Sequence, residues 1–209
     1  MQGKNGIHKA KITLKAHVAD WRYGHPSREL FVVLVVGQDG AAGTIAFLAS
    51  ILRAAGNKVG VVTREFVEIA ERRVEGSGKT GVSGNPFKLQ SLLAQMRRAK
   101  CEYVLVEIPP ELPMHQFAGI KPTMIVVRRC GDSYSDSITT AAQVAVLNNV
   151  LARKPQFVVL NKDDPSAPDL SKMSAQEGMI TFGEDKKADC LIKNVQLHPK
   201  GSAVDVVID

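Results

Sequence analysis

Leu30-Phe31-Val32-Val33-Leu34-Val35-Val36 is an unbroken apolar run, and it feeds directly into Gly37-Gln38-Asp39-Gly40-Ala41-Ala42-Gly43-Thr44. No other feature constrains the fold as much. A run with no polar alternation belongs to a strand buried on both faces, and that requires a sheet covered by helices on both sides. A glycine-rich turn between such a strand and a helix is the layout of a phosphate-binding loop (P-loop), in which backbone N–H groups receive an anion at the helix start. A working loop of this kind carries Gly-Lys-Ser/Thr, with the lysine on the β/γ-phosphates and the hydroxyl on Mg²⁺. Here Gly40 is followed by Ala41 and Ala42. The architecture is encoded and its two most diagnostic side chains are missing.

The rest of the chain continues the same pattern. Gly43–Ala55 reads as a helix closed by Gly56, with Ile45, Leu48, Ala49 and Leu52 at helical spacing. Lys58–Thr63 reads as a second buried strand, and 64–84 as a polar, glycine-rich excursion. Pro86–Ala99 is a helix with Leu89, Leu92, Leu93 and Met96 on one face. Cys101–Ile108, Met124–Arg128 and Phe157–Leu160 are strands, and Ser137–Ala152 is a helix. Alternating strands and helices predict an α/β, doubly wound, mostly parallel sheet. Val33–Val36, Val59–Val62, Tyr103–Val106 and Val158–Leu160 are expected inside it. Short strands at Met179–Phe182, Asp189–Leu197 and Ala203–Ile208 predict a small antiparallel C-terminal extension. Residues 1–29 are polar and read as a short helical lead-in and a turn before one domain over 30–209.

At 209 residues the chain is long enough to bury a real core. Its longest apolar run is far too short to span a bilayer, and no apolar segment follows Lys4, Lys9, Lys11 and Lys15 as a signal peptide requires. The expectation is a cytoplasmic protein with no membrane partner. Cys101, Cys130 and Cys190 are far apart, form no metal spacing and fit a reducing compartment. The net charge of +6 is spread along the chain, including the pairs Arg72-Arg73, Arg97-Arg98 and Arg128-Arg129, which read as solvated faces. Aromatics are 5% of residues, too few for a stacking surface, so nucleic acid is not an expected partner. His8, His17, His25, His115 and His198 are dispersed and make no ligand pattern. Gly76-Ser77-Gly78-Lys79-Thr80 mimics the end of a phosphate loop, but no apolar strand precedes it and the required first glycine falls at Arg73, so it reads as a surface loop.

The order of these pieces resembles the central, ATP-binding domain of the Mur ligases, and within that family is most similar to the UDP-N-acetylmuramoyl-tripeptide synthetase branch. Tyr23-Gly24-His25-Pro26-Ser27-Arg28-Glu29-Leu30 is similar to the family's lead into its P-loop strand. Gly37 to Thr44 lies where the family has Gly-Thr-Asn/Asp-Gly-Lys-Thr-Thr-Thr, and Ile51 to Gly60 continues the match. Leu160-Asn161-Lys162-Asp163-Asp164-Pro165 resembles Asn-Ala-Asp-Asp-Pro, followed by Thr181-Phe182-Gly183 and Ala188-Asp189.

The resemblance implies roles residue by residue. Gly37, Gln38, Asp39, Gly40, Gly43 and Thr44 would form what remains of the nucleotide loop, with Ala41 at the lysine position and Ala42 at the Mg²⁺-binding hydroxyl. Thr44 carries a hydroxyl in a shifted register. Glu107 matches the family's metal-binding Glu, although the Ser and His after it are replaced within Ile108-Pro109-Pro110-Glu111; the alternative is a loop-edge carboxylate. Ser83-Gly84-Asn85-Pro86 keeps the family's helix-start proline and lacks its threonines, and Asp132-Ser133-Tyr134 is a remnant of Asp-His-Leu-Asp-Tyr-His. Gln143 falls at the lysine that the family carbamylates to hold a second Mg²⁺, and an amide is a poor substitute on a hard cation. Asn161 and Asp164 fit the adenine-side motif or, alternatively, a strand-ending turn.

The expectation is that the family's N-terminal UDP-sugar domain and C-terminal ligase domain are absent. The expected function is therefore a degraded, non-catalytic binding or regulatory domain linked to peptidoglycan precursor synthesis, with ATP and Mg²⁺ bound weakly or lost, acting through a protein partner or a cell-wall ligase. The alternative is an ATP-dependent acid–amino-acid ligase or ATPase subunit whose site a partner completes, or which Lys79 completes. A partitioning-type ATPase fits the Asn161 motif and the strand-rich tail less well. If the loop is a decayed P-loop, Ala41→Lys with Ala42→Thr is expected to restore some nucleotide affinity.

Overall fold

The computed structural model describes residues 2–37, 40–74, 85–108, 117–128, 154–164, 175, 177–199 and 201–208. Gln38, Asp39, the 76–80 loop, Ser83 and Gly84, His115, Cys130, Asp132–Tyr134, the expected helix 137–152 and Gln143 lie outside the described residues.

Among the described residues ten strands form one sheet, in the order β10 (Gly201–Ile208), β9 (Cys190–His198), β8 (Gly178–Gly183), β7 (Phe157–Asn161), β6 (Met124–Val127), β1 (Phe31–Val36), β5 (Tyr103–Ile108), β2 (Val59–Val62), β3 (Val67–Ile69) and β4 (Arg72–Val74). Strand β1 (Phe31–Val36) lies near its middle, parallel to β5 (Tyr103–Ile108) on one side and β6 (Met124–Val127) on the other. Beyond them run β2 (Val59–Val62), β7 (Phe157–Asn161) and β8 (Gly178–Gly183), all parallel to their inner neighbours. The four strands expected inside the sheet are all flanked on both sides.

The two faces of β1 follow the strand period of two. Val33 and Val35 join Ala41, Ile45 and Ala49 of helix α2 (Ala41–Ala54) in one core cluster. Val32, Leu34 and Val36 join Leu89, Leu92, Leu93 and Met96 of helix α3 (Pro86–Arg98) in the other. The α2 spacing of i, i+4 and i+8 puts its buried residues on one stripe. The helix begins two residues before its expected start, because Gly40 adopts φ 68° as N-cap and Gly43 falls inside the first turn. Gly56, at φ 88°, donates to the Arg53 carbonyl and ends it. Helix α3 starts as its sequence implies, with the Asn85 side chain accepting from the Phe87 amide and Pro86 in the first turn.

Three features differ from the sequence expectation. The lead-in is one long helix, α1 (Gln2–Arg22), packed against α3 through the buried Ala16 and Ala19. The helix itself is the expected one, and its polar composition concealed only its length, since over residues 10–22 only a narrow stripe is buried. The 64–84 excursion contains two short antiparallel strands, β3 (Val67–Ile69) and β4 (Arg72–Val74), which extend the sheet at the edge opposite the C-terminus. Strands of three residues carry too little periodicity to be read. At the other edge β9 (Cys190–His198) and β10 (Gly201–Ile208) form the expected antiparallel C-terminal extension, and the difference is confined to β8, which pairs parallel with both β7 and β9.

Within that C-terminal region the Thr181 hydroxyl and amide both donate to the Asp189 carboxylate, at 2.7 Å each. These bonds, the hydroxyl's first, hold the Asp189 carboxyl below the usual carboxylate range. A depressed carboxyl stabilises the fold above its unfolded value of about 3.9, and that contribution is lost as pH falls through the lower folded value. Asp189→Asn is therefore expected to flatten the acid limb of the stability profile and to leave the neutral limb parallel to the parent. Urea midpoints measured between about pH 2 and pH 6 check it. An unchanged acid limb would remove Asp189 as a contributor.

Candidate functional site

The carboxyl ends of β1, β5 and β6 meet at one point of the sheet, with β1 between the other two. Ligands of open α/β sheets bind outside the strand carboxyl ends, where chain connections diverge to either side. From β1 the chain turns through the glycine loop into α2. The Gly40 carbonyl accepts from both the Thr44 amide (3.0 Å) and the Thr44 hydroxyl (3.2 Å). The Thr44 hydroxyl thus donates its proton to its own helix. Gly37 is buried and Gly43 is exposed with open space around it.

Ala41, at the lysine position, is 3% exposed and packs among Val33, Val35 and Ile45. Gly40 needs its lack of a side chain for two reasons: its φ is positive, and a Cβ there would collide with the Arg128 guanidinium. Arg128 follows β6, its amide donating to the Val36 carbonyl at 2.9 Å, and its side chain lies directly against the end of the loop. Beside it a mostly apolar groove of about 590 Å³ separates α2 from the sheet, with Val33, Leu48, Val126 and Phe182 among its walls.

Glu107, at the end of β5, is 4% exposed. Its two oxygens face Arg64: the Arg64 amide donates to Oε2 at 2.8 Å and Nε donates to Oε1 at 3.3 Å. A turn after β2 sets this geometry. The buried Thr63 hydroxyl donates to the Phe66 carbonyl at 3.0 Å and accepts from the Glu65 and Phe66 amides. That turn presents Arg64 to the end of β5.

The Mg²⁺ implied by the resemblance has a poor donor set here. Position 42 is a methyl group, both Glu107 oxygens accept from Arg64, and Gln143 lies outside the described residues. A hard cation takes about six oxygens in near-octahedral array, and no group of three or more His, Cys, Asp or Glu side chains occurs among the described residues. As they stand, these residues do not fit the metal.

Asn161 ends β7 at the same end of the sheet, in register with Phe182. Its side-chain oxygen accepts from the Asp163 amide at 2.9 Å, the geometry of a strand-ending turn. Asp163 in turn accepts from the Glu184 and Asp185 amides, and Asp164 is buried at 2%. His25 is placed away from this site, on Asp20 at 2.6 Å, where it ties the end of α1 to the turn at 26–28. The sequence did not single out Arg64, and it read Arg128 as part of a solvated pair, whereas its guanidinium lies against Gly40 at the loop. Arg128 had one usable signal, its position directly after an interior strand next to β1.

The family model described as Mur ligase middle domain matches residues 35–209. The chain is 27% identical over 199 residues to the UDP-N-acetylmuramoyl-L-alanyl-D-glutamate–2,6-diaminopimelate ligase of Geobacillus thermodenitrificans, covering 90% of this chain and 40% of that one. It is 24% identical over 186 residues to the ligase of the same name from Clostridium botulinum, covering 88% and 38%. Among solved structures, one of a UDP-N-acetylmuramoyl-L-alanyl-D-glutamate–2,6-diaminopimelate ligase aligns with a TM-score of 0.73 at 16% identity, over 94% of this chain and 42% of that one. Folylpolyglutamate synthetase from Lactobacillus casei aligns at 0.63 and 15% identity, over 92% and 53%. The chain thus spans about 40% of the length of the curated relatives it matches. With the parallel sheet, the loop at the end of β1 and a match running from that strand to the last residue, the chain belongs to the Mur ligase middle-domain family.

Proposed function

We propose that this chain is a non-catalytic member of its family, a binding or regulatory domain that acts through a protein partner in cytoplasmic peptidoglycan precursor synthesis. The observation that supports this reading most is the state of the loop end. The lysine position is a buried alanine, the metal-binding hydroxyl is absent, and the carboxylate at the metal position is bonded to an arginine. Phosphoryl transfer depends on positioning and charge stabilisation by a lysine and a metal. Removal of a single preorganised contact of that kind costs about 10²–10³ in rate, and here two are missing together. Among the described residues no helix is long and apolar enough to cross a membrane.

The rival reading, an ATP-dependent ligase component completed by a partner, draws on one feature. Gly40 and Gly43 still leave the helix start uncovered by side chains of their own. Calorimetry of the chain with Mg·ATP separates the two readings. The expected dissociation constant is no tighter than about 1 mM, near −4 kcal/mol. Micromolar, Mg²⁺-dependent binding would overturn the non-catalytic reading.

A further inference from the structure

We propose that Arg64 takes the place of the divalent cation at Glu107, so that this end of the sheet carries its counter-charge within the chain and takes no magnesium. The inference rests on the non-catalytic reading above and explains why the carboxylate survives there.

A carboxylate buried to 4% needs a compensating charge. In a magnesium site the ion supplies it. Here the Arg64 guanidinium supplies it, with Nε on Oε1 at 3.3 Å, while the neutral Arg64 amide donates to Oε2 at 2.8 Å. Both oxygens that a cation would coordinate thus already accept hydrogen bonds. The guanidinium contact is a single one at 3.3 Å, so its contribution here is the nearby positive charge more than a tight fork on the carboxylate. The guanidinium also repels an approaching cation.

The placement of Arg64 is built into the fold. Thr63 is fully buried, and its hydroxyl takes part in three hydrogen bonds that close the turn at 63–66. With the turn closed, the Arg64 amide points at the end of β5. The surrounding changes agree in sign. The second metal donor has become Ala42, the nearest remaining loop hydroxyl is bonded to Gly40, and a second guanidinium, Arg128, lies against the loop on the other flank of β1. Positive charge that a metal and a lysine would bring is carried by two arginines on the strands' own connections.

The test is Mn²⁺ binding, with Mn²⁺ as a paramagnetic stand-in for Mg²⁺, followed by electron paramagnetic resonance and thermal denaturation on the full chain. The parent is expected to bind no Mn²⁺ at this position and to melt at the same temperature with and without it. Arg64→Gln keeps a hydrogen-bond donor on Glu107 and removes the charge. It should bind Mn²⁺ at least about tenfold more tightly than the detection limit at which the parent shows none, the scale on which neighbouring groups tune metal sites, and should be stabilised by the ion. Glu107→Gln in that background should abolish the gain, and Arg64→Lys should show none. If Arg64→Gln does not fold without metal, refolding in millimolar Mn²⁺ but not in its absence carries the same result. Failure of Arg64→Gln to gain Mn²⁺ affinity in both assays would overturn the role of Arg64 and leave the non-catalytic reading standing. Mn²⁺ binding by the parent that Glu107→Gln removes would overturn the inference. Micromolar Mg·ATP binding is a separate result and bears on the reading beneath it.

Discussion

Phe117→Ala is expected to destabilise the fold by about 3–5 kcal/mol, the range for truncating a buried aromatic ring. Phe117 is 1% exposed and is among the largest fully buried side chains. It belongs to the core cluster that holds Val32, Leu34, Val104 and Met96 between the sheet and α3. The short turn it begins also seats α1, since the Cα of Gly119 packs so closely on the Ala16 carbonyl and the Asp20 side chain that no Cβ fits between them. Loss of the ring thus opens a cavity and loosens the support for the N-terminal helix. A domain is typically stable by only about 5–15 kcal/mol, so this loss is a large part of the total. Urea unfolding measures it. Cys101 gives a local readout: it is 5% exposed in the same cluster, and burial pushes its thiol up from the ordinary value. Its reaction with a thiol reagent should be slow in the parent and faster in the variant. A loss under about 1 kcal/mol would mean that Phe117 is not a core anchor.

What could be read from the sequence divides by range. The β1 run, the α3 stripe at Leu89, Leu92, Leu93 and Met96, and the glycine loop are local patterns, and each fixes its own burial. The order of strands follows from the same alternation. The parallel pairing of β8 was not legible, because its strand-length signal is the same for either direction. At the site, the local signal is Ala41 and Ala42 after Gly40, while the Arg64 that bonds Glu107 lies 43 residues from it in a segment of charged residues. Nothing in Arg64 distinguishes it from its solvated neighbours until the Thr63 turn aims it. Asn161 illustrates the converse: a motif residue whose side-chain oxygen accepts from Asp163 in the bond of a turn.

Restoring the loop with Ala41→Lys and Ala42→Thr alone is expected to leave Mg·ATP affinity unchanged, contrary to the simple repair that the sequence suggests. Ala41 is 3% exposed, and a lysine there must displace Val33, Val35 or Ile45 or thread past them to the surface. Overpacking of that kind costs about 1–3 kcal/mol of stability. The new ammonium would also meet the Arg128 guanidinium over Gly40, with like charges in the space the phosphates need. The added hydroxyl would find Glu107 already bonded to Arg64. Affinity should appear only when the arginines are removed as well, in a variant that adds Arg64→Gln and Arg128→Asn. The expected gain is then about 1–3 kcal/mol, or roughly fivefold to 150-fold, the scale of one or two charge-assisted hydrogen bonds. Calorimetry of the two variants side by side makes the comparison. A tenfold gain from the two loop substitutions alone would show that neither arginine blocks the site. No gain from the fourfold variant would show that the backbone between Gly37 and Gly40 no longer forms a phosphate cradle. In that case the surviving glycines serve the strand-to-helix turn alone.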